Sequence, residues 1–145
     1  MPRKRRKRRE PEIWSREVTV LSYRAHISLR AVHDRKNDEP YIESGPWLEL
    51  RGTTTEPVRD VVDVSLSLHA EDKPQIGPAR PAAIGAIISL KPAISAVLTW
   101  PQQDFVRLWI FALAGQLKYA WLAFTKPRYT TALVISASFS NVPEE

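Results

Sequence analysis

Period-two alternation over most of the chain, frequent prolines between the alternating runs and one stretch of helical period predict a mainly β protein. The expected architecture is an antiparallel sandwich or open barrel of six to eight strands, with one short helix near 100–114. The length of 145 residues suits a single domain. We divide it into a disordered basic arm (1–12), one β-rich domain (13–141) and a polar tail (142–145).

The arm comes first. Arg3, Lys4, Arg5, Arg6, Lys7, Arg8 and Arg9 are consecutive, and no acid interrupts them. Seven adjacent like charges repel one another and offer nothing to bury, so the segment is expected to stay unfolded alone. The first strand then runs from Thr19 to Ala31. Leu21, Tyr23, Ala25, Ile27, Leu29 and Ala31 alternate with Ser22, Arg24, His26, Ser28 and Arg30, which predicts one core face and one solvent face. The polar run Asp34 to Pro40 reads as a turn.

Trp47–Arg51 alternates again, with Leu48 and Leu50 opposite Trp47. Val62, Val64, Leu66 and Leu68 form the inward set of the next strand. Residues 70–82 carry prolines and mixed charge and read as a loop. Ala83–Leu90 is an apolar strand ended by Lys91-Pro92, and Ile94–Leu98 forms another.

The period changes after Thr99. Phe105, Leu108, Trp109, Ala112 and Leu113 make one helical stripe. Thr99 and Gln102 have capping-box spacing, Pro101 falls in the first turn, and Gly115 is placed to end the helix. A strand from Phe105 to Leu113 with a hairpin at Gly115 is the competing reading, and the helix is preferred. Two last strands, Lys118–Phe124 and Thr131–Phe139, flank a turn at Lys126–Tyr129.

Charge is unevenly distributed. The chain has 21 basic and 16 acidic residues, a net of +5; without the seven of Arg3–Arg9, the remaining 14 basic residues against 16 acids leave residues 10–145 at −2. A domain that grips nucleic acid through its own surface usually carries net positive charge, so phosphate binding is expected in the arm. Arg24, His26 and Arg30 share an outward strand face and are weaker candidates to extend that path.

Catalytic and cofactor motifs find little support. The five glycines never approach phosphate-loop spacing, and there is no cysteine for a thiolate metal site or disulfide. His26, His33 and His69 form no HxH or HExxH pair; a metal held by His26 and His69, with Asp63, is conceivable but both histidines lie on expected solvent faces. No local context singles out a nucleophilic serine. We therefore expect no cofactor, no metal and no catalytic residue. Trp109 and Trp121 are expected in the core, and Trp47 is the best candidate for an exposed aromatic.

The longest apolar stretch, Leu108–Leu117, spans ten residues, where a transmembrane helix needs about 20. A soluble intracellular, cytoplasmic protein is expected, nuclear in a eukaryotic cell. The functional expectation is a non-enzymatic binding module: nucleic acid through the arm, a protein partner or a second copy through the body. The alternatives are a small-ligand binder or enzyme with a pocket in the β domain, and a self-assembling structural protein.

Overall fold

The computed structural model describes residues 11–34, 39–71 and 83–143. The basic run Arg3–Arg9, the centre of the 34–40 turn, most of the 70–82 loop and the last two residues lie outside them.

Among the described residues, nine strands and one helix follow in order: β1 (Ile13–His26), β2 (Leu29–Asp34), β3 (Glu39–Ser44), β4 (Trp47–Val58), β5 (Val61–Glu71), β6 (Gly85–Ser89), β7 (Ile94–Pro101), α1 (Gln102–Leu113), β8 (Tyr119–Thr125) and β9 (Ala132–Ser140). Seven strands form a barrel in the order β1-β4-β5-β7-β6-β9-β8, and β8 pairs back onto β1. The fold is thus mainly β, as the alternation predicts, and the barrel is closed rather than open. All barrel neighbours are antiparallel except β5 and β7. That parallel pair arises because β6 intervenes in sequence and then sits outside β7, between it and β9.

The alternating residues fill the interior. Leu48 and Leu50 of β4, Leu66 and Leu68 of β5, Leu98 of β7 and Phe124 of β8 are among the most deeply buried side chains. Val62 was expected among the inward set and is instead exposed, next to the register irregularity between Thr53 and Val58 of β4. Trp121 is likewise not in the core: it takes an outward position of β8 between buried Ala120 and Leu122. Trp109, by contrast, packs against the core.

Helix α1 forms where the period changes, and its Phe105, Leu108 and Ala112 join the barrel core. The capping box does not form. Thr99 is still in β7, paired with His69, and the helix starts after Pro101, which is extended (φ −56°, ψ 142°) and provides no side-chain cap. The chain passes straight from strand to helix, leaving no turn in which Thr99 could reach back. Leu113, placed on the buried stripe by sequence, is exposed near the helix end. Termination follows the glycine rule: Gly115 adopts φ 71°, its N–H donates to Ala112 O, and Gln116 N–H donates to Phe111 O.

At the barrel end opposite α1, a two-residue turn joins β4 to β5. Arg59 and Asp60 both take positive φ (46° and 68°), as a type I′ hairpin turn requires. Arg59 also donates through its guanidinium to the Pro127 and Tyr129 carbonyls, tying this turn to the one between β8 and β9. Asp60 makes no contact that holds it in the left-handed region among the described residues, and glycine takes that conformation without strain. Asp60→Gly is expected to raise stability by about 0.5–1 kcal/mol, read as a few degrees in a thermal melt.

β2 and β3 extend the barrel outward. The register that pairs Ser22 with Arg51 through His26 with Trp47 continues as Leu29 with Ser44 through Asp34 with Glu39. Gly45 N–H to Ser28 O (3.0 Å) bridges the interruption. β1–β2 and β3–β4 therefore make one antiparallel ribbon that leaves the barrel at the α1 end.

Candidate interaction face on the barrel and ribbon

Strand pairing arranges polar and aromatic side chains in rows on the outside of the barrel. Directly paired residues share a sheet face, so each register line can be followed across strands. One row runs His26, Trp47, His69 and Thr99; the next runs Arg24, Glu49, Ser67 and Val97; a third runs Ser22, Arg51, Ser65 and Ser95. A shallow groove of about 480 Å³ lies along them, lined by Trp47, Glu49, Ser65, Ser67, His69 and Ser95 among others.

Contacts within these rows are specific. The His26 and Trp47 rings lie 5.1 Å apart, tilted by 35°. Trp47 is half-buried by this contact rather than freely exposed. Arg51 Nε donates to Glu49 Oε1 at 3.1 Å, and Ser67 Oγ and His69 Nε2 are 2.8 Å apart.

This last pair has the residue types of a nucleophile and its base. A working dyad also needs a third group to orient the imidazole. Among the described residues none is seen on His69, and the neighbouring Glu49 is held by Arg51. The pair acts as a local hydrogen bond on a strand, since residues two apart point the same way. His26 and His69 do reach one row, but Trp47 stands between them. Asp63 is six residues from His69 along β5, about 20 Å at strand rise, so the three do not converge on a metal. No group of three His, Cys, Asp or Glu with metal-binding geometry occurs among the described residues.

Of the weaker sequence-predicted site residues, Arg24 and His26 come together beside Trp47 on β1 and β4. Arg30 lies further out on β2, in register with Glu43. Sequence reasoning missed the Trp47–His26 stack because it depends on pairing between strands 21 residues apart.

The opposite face of the ribbon is apolar. Tyr23 and Ala25 pair with Leu50 and Leu48, whose side chains fill the barrel, so this face is the interior face prolonged past the barrel mouth. The sequence marks Leu21, Tyr23, Ala25, Ile27, Leu29 and Ala31 as a core face, and the structure corrects this: all six are exposed, Leu21 by 69%, Ile27 by 61% and Leu29 by 74%. The physical reason lies in β8, which covers β1 only from Ile13 to Thr19. Alternation shows that a face is apolar, and only tertiary structure decides whether anything covers it.

A second groove, of about 530 Å³, is lined by Ile87, Ile88, Leu133, Lys126 and Arg128 among others, with no carboxylate or histidine. A third, of about 400 Å³, lies between Trp100, Phe139 and the Asp104–Arg107 turn of α1.

The chain matches no family model, no curated protein and no solved structure. No described helix is long and apolar enough to cross a membrane.

Proposed function

We propose that this protein is a non-enzymatic binding module whose basic arm, Arg3–Arg9, holds nucleic acid through sequence-independent phosphate contacts, while the β domain engages a protein partner. The observation that carries the reading is the segregation of charge: seven consecutive cations at Arg3–Arg9, against a net of −2 over residues 10–145. Lysine and arginine at that density displace the counterions condensed on a polyanion. Contacts to phosphate carry no base information, so the binding is indifferent to sequence.

The barrel face gives secondary support. The Arg24 cation and the paired His26 and Trp47 rings offer a charge and an aromatic surface of the kind single-stranded nucleic acid stacks on. The Glu49 carboxylate in the same row reduces the positive potential there, so this face is a minor contributor. Fluorescence anisotropy of labelled single-stranded RNA and duplex DNA, with the intact protein and a form lacking residues 2–9, tests the proposal. Equal binding by both forms would overturn it. The triple variant Arg24→Ala, His26→Ala, Arg30→Ala is expected to weaken binding by less than about tenfold at 100 mM salt. A collapse of affinity in that variant would move the site from the arm to the barrel.

A further inference from the structure

We propose that the free edge of β1, from Leu21 to His26, takes up an extended acidic strand from a partner protein, one that alternates Glu or Asp with apolar residues. This names the partner chemistry of the body in the reading above. It is independent of the arm's phosphate contacts.

The first observation is the edge itself. β1 is paired on one side with β4 from Val18 to His26, but on the other side β8 reaches only to Thr19. The last bond on that side joins Val20 N–H to Lys118 O at 2.9 Å. Beyond it, no described residue pairs with the edge from Leu21 to His26. An uncovered row of backbone donors and acceptors is a template for one more strand.

The second observation is charge. The stretch Leu21–Ala31 contains Arg24, His26 and Arg30 and no acid. The strand already seated on its other edge shows what chemistry fits: Glu49 stands opposite Arg24, Trp47 opposite His26 and Glu43 opposite Arg30. Arg24 makes no ion pair among the described residues, because Glu49 is bonded to Arg51. A second copy of this chain pairing edge to edge in the register that sets Arg24 opposite its twin's Arg24 would bring like charges together, which is destabilising. An acidic strand meets Arg24 with complementary charge.

The third observation is the apolar face. Strand partners share faces, so the apolar residues of the incoming strand fall beside Tyr23, Ala25 and Ile27, all now exposed. Helix α1 also leaves Val106, Ile110 and Leu113 exposed at the same end of the barrel.

The test uses the full-length protein and a ten-residue peptide alternating Glu and Val. Two further probes accompany it: the peptide with Lys for Glu, and the Glu peptide with every amide N-methylated. Titration is followed by amide chemical shifts and by anisotropy. The Glu peptide should shift amides of Leu21–His26, and Arg24→Glu should weaken it about fivefold to tenfold. The Lys peptide and the N-methylated peptide should fail to shift that edge. Equal affinity for the N-methylated peptide, or shifts confined to residues 3–9, would mean that charge alone holds the probe on the arm and would overturn the proposal. Concentration-dependent shifts of the same amides without any peptide would overturn it too, making a second copy the occupant. Because N-methylation alters only the probe, the result stands even if Arg24→Glu perturbs the ribbon. Loss of RNA binding on arm deletion leaves this outcome untouched, so the two readings fail separately.

Discussion

Deleting residues 2–9 is expected to remove nearly all affinity for single-stranded RNA at low salt and to flatten its salt dependence. With seven cations on phosphates, log K should fall against log[salt] with a slope of roughly −5. Between 50 and 200 mM salt that is on the order of a thousandfold. The truncated chain has a net charge of −2, which disfavours a polyanion, so its residual slope should be close to zero. The comparison separates two sources of binding by their salt response rather than by affinity alone. A truncated form that still binds with a steep slope would place the phosphate contacts on the ribbon cations. Duplex DNA gives an internal check, because the same seven contacts predict a steeper slope of about −6. A large preference between unrelated sequences in either nucleic acid would contradict a purely phosphate-directed arm.

Much of the fold was legible in the alternation, and particular residues show where legibility stopped. Leu48, Leu50, Leu66 and Leu68 were readable as inward because each strand is half-buried with a two-residue period. The helix was readable from Phe105, Leu108 and Ala112, and its end from Gly115. The extra residues at Leu21 in β1 and Ile135 in β9 were not readable: each shifts the register by one and moves the inward parity to the other set of residues. A bulge is a tertiary accommodation with no local signature in Val, Leu or Ile. The parallel β5–β7 pair was equally hidden, since adjacency between strands some thirty residues apart is decided by packing. Of the candidate site, Arg24 and His26 were found from their shared face. Trp47 was singled out as an aromatic, but its place beside His26, like that of Ser67 beside Glu49, was not legible because strand pairing alone brings them together. The exposed apolar ribbon was misread as core for the converse reason: composition described the surface correctly and could not say what lies against it.

Gly52→Ala should be among the most damaging single substitutions in the barrel. Gly52 pairs with Val20 immediately before the extra residue Leu21, where β1 bends out of the barrel and the ribbon begins. A β-carbon at position 52 would stand 2.1 Å from the Thr19 carbonyl oxygen and 2.9 Å from its carbon. Both are backbone atoms in a paired strand, so relief requires separating β1 from β4 rather than turning a side chain. Overpacking of this kind costs about 3 kcal/mol, a drop of roughly 10 °C in Tm for a chain of this size. Gly115→Ala provides the contrast. Nothing lies within 4 Å of a β-carbon there, and only the left-handed backbone opposes it, at about 1 kcal/mol. Thermal melts of the two variants therefore distinguish a steric requirement from a conformational one. If Gly52→Ala melts with the parent, β1 does not approach β4 this closely and the departure of the ribbon has another cause. If it melts early, the absence of a side chain at position 52 is what lets the bulge form. The free edge from Leu21 to His26 then depends on a residue that never touches a ligand.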